Sequence, residues 1–182
     1  MFDDKRLMMQ WNRGDPLALR RIYDKYKHFL ITLAAALLFD KTAAEDVVHD
    51  LFARLLEKRE QIRIASNLKS YLSCGVANGA RNINRRHKLG PDISLEAAGV
   101  DPPSPHPLPE LYVLQTEADQ KLTAALSQLP YRQREVIMLR HYSQLKFQAI
   151  AALQEASINT VQGRYRYGMD KLRSLLNGEL KP

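Results

Sequence analysis

Residues 157–167, Ser-Ile-Asn-Thr-Val-Gln-Gly-Arg-Tyr-Arg-Tyr, gather side chains that can read nucleic acid. Asparagine and glutamine can pair with adenine edges, and arginine with guanine or a phosphate. At helical spacing Asn159, Thr160, Gln162, Gly163, Arg164 and Arg166 fall on an outer side with Tyr167, while Val161, Tyr165 and Leu172 turn inward. Ser157 suits the N-cap, because its hydroxyl can accept a free backbone N–H of the first turn. Just upstream, Phe147, Ile150, Ala151 and Leu153 form the inner face of a short helix that breaks around Glu155 and Ala156. This is helix-turn-helix spacing. A basic helical face alone is usually just solvated; the preceding helix and the capped turn favour contact with duplex DNA.

Two further constellations could do chemistry. Asn78, Arg81, Asn82 and Arg85 recur at three- and four-residue steps, with Arg86 and Lys88 beside them, so they form a polar, basic stripe. The same helix carries Leu68, Leu72, Val76 and Ile83 as its apolar side. Gly75 and Gly79 each weaken it by roughly 1 kcal/mol relative to alanine, which suits close packing or close approach of DNA. Glu45, Asp46, His49 and Asp50 make an acidic set on another helix, whose plain reading is a solvated face with a capping role. Asp46 and His49, one turn apart, could begin a metal site, but no second histidine–carboxylate pair completes the shell. Cys74 reads as a small packing residue rather than a nucleophile or redox sensor.

The 182 residues carry a formal net charge of +7, which points to polyanionic partners. Five scattered histidines, no phosphate-binding glycine loop and no nucleophile elbow leave no plausible active site, so the reading is not an enzyme, with no cofactor, no metal and no small-molecule substrate. One cysteine excludes an intramolecular disulfide. No run approaches the roughly 20 apolar residues of a membrane helix, and the N-terminus has no apolar signal core. The expectation is a soluble, cytoplasmic protein without membrane insertion.

The elements that must position these residues are helical throughout. Asp15 and Pro16 read as N-cap and first helical residue ahead of Leu19, Ile22, Tyr23, Tyr26, Leu30, Leu33 and Leu37. Thr42 and Glu45 read as a capping box before Val47, Val48, Leu51, Phe52 and Leu55. Residues 60–67 break the pattern, and a third helix is expected from near Asn67 to about Arg86. Six prolines between 91 and 109 forbid a continuous helix, so 88–115 reads as a linker. Helix resumes near Thr116 with Leu122, Leu126 and Leu129, followed by a short helix with Val136, Ile137 and Leu139. The fold class is all-α, two small helical domains joined by a proline-rich linker.

This order of motifs resembles a known family. LSQLPYRQREVIMLRHY followed by LKFQAIAALQEASINTVQGRYRYGMDKLR is similar to region four of bacterial RNA polymerase sigma factors. IYDKYKHFLITLAAALLFDKTAAEDVVHDLFARLL with SYLSCGVANGARNINRRHK is similar to their region two. A short proline-rich linker in place of a middle domain points to the extracytoplasmic-function class of the sigma-70 family. The resemblance implies region two over 1–87, the linker over 88–115 and region four over 116–182.

What the resemblance implies for the site falls on particular residues. Glu45, Asp46, His49, Asp50 and Phe52 match the helix that docks on core RNA polymerase. Asn78, with Arg81, Asn82, Arg85 and Arg86, matches the helix that reads the minus-ten element, and the loop over 60–67 the segment that captures a flipped base from single-stranded DNA. Ser157, Asn159, Thr160, Gln162, Gly163, Arg164, Arg166 and Tyr167 match the reader of the duplex minus-thirty-five element. An anti-sigma factor is a further partner that the family allows. The chain departs from the family at His49 (usually glutamine), Gly79 and Asn82 (arginine and aspartate), Gln154 (apolar), Glu155 (glycine), and Tyr167 and Gly168 (arginine and alanine). The alternative from another class is a stand-alone helix-turn-helix regulator, which leaves the 45–56 helix and the Asn78–Arg86 stripe unexplained. A third, a protein that titrates an anti-sigma partner, would tolerate loss of the basic face.

Overall fold

The computed structural model describes residues 2–64, 67–88 and 116–178, and every regular element among them is helical. Helix α1 spans Phe2–Asn12, α2 Pro16–Leu38, α3 Lys41–Glu57 and α4 Leu68–Lys88. After residue 115 come α5 (Glu117–Ser127), α6 (Tyr131–Ile137), a π-helical turn (Met138–Tyr142), α7 (Phe147–Gln154) and α8 (Ile158–Leu176). The proline-rich stretch from 89 onward lies outside the described residues, and Lys88 closes α4.

The first block is built around α2. Asp15 caps it as the sequence predicts, its Oδ1 accepting from the Leu17 amide at 2.9 Å. The helix ends at Phe39, which takes the left-handed conformation at φ 53° and closes on the Ala35 carbonyl at 2.8 Å. The expected capping box of Thr42 and Glu45 is not made. Asp40 takes the cap instead, its Oδ1 accepting from the Ala43 amide at 2.9 Å, so Thr42 falls inside the first turn. The left-handed Phe39 turns the chain so that the next residue, already a good capping type, meets the open helix end.

Helix α3 lies close on α4, and the two glycines make this possible. A Cβ at Gly75 would sit 2.6 Å from Leu51 Cδ1, and one at Gly79 2.8 Å from Val47 Cγ1. The glycines therefore serve helix packing. Helix α1 was not expected, because its mixed acids and bases hide a sparse apolar side, Leu7 and Trp11, both buried. Lys25 Nζ bridges Asp3 at 2.6 Å and Asp4 at 2.8 Å, and Tyr26 donates to Asp4 at 2.8 Å, fixing α1 on α2. Trp11 Nε1 donates to the Ile62 carbonyl at 3.2 Å, so α1 also pins the start of the 60–67 loop.

In the second block Thr116 caps α5 through the Asp119 amide at 3.2 Å. Leu126, Leu129, Ile137 and Leu172 form its centre. Gly168 lets α8 lie against α6, since an added Cβ would meet Ile137 Cδ1 at 3.0 Å.

The two helical blocks that the sequence predicts pack against each other through a continuous apolar cluster. Tyr131, Val136, Leu139, Leu145, Ile150, Ala151 and Val161 cluster with the buried residues of α1–α4. Phe39 goes the other way, 2% exposed among Ala125, Leu126, Leu129, Ile137 and Leu172. Phe29 and Tyr142 stack across the boundary with centroids 4.6 Å apart, and Lys69 Nζ lies 4.3 Å over the Phe29 ring while donating to the Tyr142 carbonyl. The polar pairs that close this boundary lie far apart in sequence, which no local pattern can reveal.

Candidate nucleic-acid interface

The proposed reading helix α8 begins as expected. Ser157 Oγ accepts from the Thr160 amide at 3.0 Å and contacts the Thr160 hydroxyl at 2.8 Å. The turn before it is made by Glu155 in the left-handed region, φ 51° and ψ 45°, with the Ala156 amide closing on the Ala151 carbonyl at 3.0 Å. Val161 and Leu172 are buried, which orients the helix. Asn159, Thr160, Gln162, Arg166 and Tyr167 are exposed, Tyr167 at 61%, and Arg166 lies 5.2 Å over the Tyr167 ring. An exposed tyrosine covered by a guanidinium offers an aromatic and a charge to one backbone segment. Tyr165, expected in the core, is half-buried; it stacks on His141 with its hydroxyl 2.7 Å from Nε2 and meets Phe147 edge-on. Gly163 has open space where a Cβ would stand. Arg164 is half-buried, donating to Gln154 Oε1 at 2.7 Å.

On α4, Asn78, Asn82, Arg85 and Arg86 are exposed along one side. Arg81 departs from the stripe. Its guanidinium reaches under the second block, donating through Nη2 to Glu135 Oε1 at 2.7 Å and through Nη1 to the Leu153 carbonyl at 2.6 Å. Its side chain is 22% exposed and that of Glu135 is wholly buried. Glu135 is further held by the Gln154 amide at 2.7 Å and the Tyr131 hydroxyl at 3.3 Å. Burial, and the Glu135 charge beside it, push the Tyr131 hydroxyl well above the usual phenol range, so it stays a donor. Burial likewise raises the Cys74 thiol, with Arg81 opposing.

On α3, Asp46, His49 and Asp50 are exposed and Glu45 is half-buried. Phe52 is turned into the core at 7% exposure, edge-on to Tyr23 at 5.0 Å, and so lies beneath this face rather than on it. Tyr23 comes to the surface beside it, its hydroxyl 3.4 Å from His49 Nε2. Sequence reading missed Tyr23, whose helical phase assigns it to the core. It also missed Arg134 and Glu135, charged residues that read as surface but are buried; the apolar neighbours Val136 and Ile137 gave the only hint. Among the described residues no cluster of three or more metal-ligating side chains occurs.

The description of sigma-70 region 2 matches residues 22–89, and that of sigma-70 region 4 matches residues 119–172. The chain belongs to the sigma-70 family. It is a sigma factor that binds core RNA polymerase and directs it to promoters, and such proteins are not enzymes. It is similar to the RNA polymerase sigma-H factor of Pseudomonas aeruginosa, 26% identical over 168 residues that cover 88% of this chain and 87% of that protein. It is equally similar to the ECF RNA polymerase sigma factor SigW of Bacillus subtilis, 26% identical over 181 residues covering 94% and 96%. Among solved structures, CnrH in complex with the cytosolic domain of CnrY shares the fold, with a TM-score of 0.66 and 19% identity over 97% of this chain and 99% of that one. The sigma factor RpoE bound to the anti-sigma factor NepR from Bartonella quintana matches with a TM-score of 0.55 and 24% identity over 85% and 98%. No described helix is long and apolar enough to cross a membrane.

Proposed function

We propose that this sigma factor divides its work among three helical faces. The α3 face of Glu45, Asp46, His49 and Asp50 docks on core polymerase, with Phe52 setting its shape from below and Tyr23 extending it. Asn78, Asn82, Arg85 and Arg86 of α4, joined by Arg81, meet the opened strand at the minus-ten element. Asn159, Thr160, Gln162, Gly163, Arg164, Arg166 and Tyr167 of α8, positioned by the Ser157 cap, meet duplex DNA at the minus-thirty-five element. The protein works in the cytoplasm, where polymerase and promoter are. An anti-sigma factor is a further partner in this reading, in keeping with the RpoE–NepR complex.

The observation that carries the assignment is that α3 and α4 present separate exposed polar faces while burying their glycine-mediated contact between them. A stand-alone duplex-binding regulator has no use for either. The test is Asp50→Arg. The side chain is exposed, so the helix should keep its circular dichroism spectrum. Loss of the carboxylate and like-charge repulsion at a docking face should weaken core polymerase binding by about tenfold or more. Binding equal to wild type would remove this face from the interface.

A further inference from the structure

After α3 the Gln61 and Ile62 amides both close on the Lys58 carbonyl at 3.0 Å, and residues 62–64 then run on outside regular structure. Backbone groups in such a stretch still need partners. The end of α1 supplies them. Trp11 Nε1 donates to the Ile62 carbonyl at 3.2 Å, Asn12 Nδ2 donates to the Ile64 carbonyl at 3.2 Å, and the Ile64 amide donates to Asn12 Oδ1 at 3.2 Å. Arg63 in turn donates to the Asn12 carbonyl. A carboxamide carries a donor and an acceptor side by side, so Asn12 engages both polar groups of one residue, as a paired strand would.

The bracket fixes direction as well as place. Ile64 is buried and Ile62 packs against the same core, while Arg63 between them is exposed, the alternation of an extended segment. The far end of the 60–67 loop is tied too, because Asn67 Oδ1 accepts from the Ser70 amide at 3.2 Å at the start of α4. Helix α1 itself lies before residue 22, where the match to region 2 begins.

We propose that Asn12 and Trp11 are positioning residues for strand capture: they hold residues 62–64 in the shape that lets the 60–67 loop take a flipped base. This rests on the assignment of that loop to the opened strand. A loop free to sample other shapes binds only through its correctly formed fraction, so a brace that keeps it formed raises the apparent affinity. The ordering cost is then met in the fold rather than at the promoter. Support of α1 on the bundle falls on other residues, the buried Leu7 and the ties from Asp3 and Asp4 to Lys25. Both side-chain bonds of Asn12 go to the loop.

The test uses full-length holoenzyme carrying Asn12→Ala, Asn12→Asp or Asp4→Asn. Alanine removes both side-chain bonds to Ile64. Aspartate keeps the acceptor for the Ile64 amide and sets an anionic oxygen against the Ile64 carbonyl. Asp4→Asn weakens the ties to Lys25 and Tyr26 at the far end of α1 and leaves the loop contacts alone. The probe is the duplex that wild-type holoenzyme enriches most from a library randomised across both promoter elements. It is used closed, in the cold, and as its separated strands, with each base changed in turn. Both Asn12 variants should bind the preferred strand about tenfold more weakly, yet hold core polymerase and the closed duplex within about twofold of wild type. They should also lose base preference in the strand, while Asp4→Asn keeps it. Asn12 variants with wild-type strand affinity and base preference would overturn the proposal. Equal losses of strand, duplex and core binding would overturn it as well, since they mark a purely structural role. If wild-type holoenzyme prefers no base in either strand, the assignment of the loop falls and the proposal with it, so the two failures are told apart.

Discussion

Replacing Glu155 by glycine isolates how the helix-turn-helix corner is made. Glu155 sits at φ 51° and ψ 45°, where the β-carbon crowds the following carbonyl. That crowding costs roughly 1–2 kcal/mol in an L-residue, and glycine would be free of it. Against this, glycine loses more backbone entropy on folding, about 0.5–1 kcal/mol. The Glu155 side chain is exposed, so little packing is lost. The balance is a stabilisation of about 0.3–1 kcal/mol, or a rise in Tm of about 1–3 °C for a body of this size.

Alanine at the same position gives the control, because it keeps the β-carbon and adds no freedom. Thermal unfolding followed by circular dichroism should place Glu155→Gly above wild type and Glu155→Ala near it. Binding of Glu155→Gly to a duplex promoter fragment should stay within about twofold of wild type, since glycine can hold the same corner and leave α8 at the same angle. A glycine variant no more stable than the alanine variant would show that the left-handed backbone is not strained here.

Three further outcomes are expected. Gly79→Ala should destabilise the protein by about 1 kcal/mol or more, since overpacking against Val47 outweighs the gain in helix propensity, whereas Gly163→Ala, with open space around it, should stabilise by up to about 1 kcal/mol; denaturant titrations that rank them the other way would contradict the packing. Cys74, whose thiol is raised by burial, carries less thiolate at any given pH, so iodoacetamide at pH about 8 should alkylate the native chain at least tenfold more slowly than the denatured one, and equal rates would refute it. Asn78→Ala holoenzyme should bind promoter normally yet open it poorly, and a pre-melted template should not restore it; unchanged permanganate reactivity of promoter thymines would take Asn78 out of strand opening.

What could be read in the sequence was what neighbouring residues decide between themselves. Ser157 caps α8 and Asp15 caps α2 because each acts on an amide two or three residues away. The periodic apolar faces of α2, α3 and α8 are local in the same sense. The Thr42 cap failed for a reason only the backbone reveals: Phe39 turns left-handed and hands the helix start to Asp40. Phe52 shows another limit, because a heptad-like pattern leaves the boundary between core and docking face undecided by one helical position. Arg81 leaves the stripe its spacing predicts for a partner, Glu135, 54 residues away, and the Leu37 carbonyl that Arg134 meets is 97 residues away. No rule of spacing connects them.

The chemistry of that boundary is mixed. Tyr131, Val136, Leu139, Leu145, Ile150, Ala151 and Val161 join the apolar core of the first block, and Phe39 enters that of the second. Set among them, Arg81, Glu135, Gln154 and Arg134 are ionic or amide groups. A buried ion pair gains little net stability, because desolvation offsets most of the attraction. Yet removing one partner while the other stays buried costs far more than the pair contributes. The pair therefore sets which way the blocks pack more than how tightly, since any misaligned docking would leave Glu135 buried without Arg81.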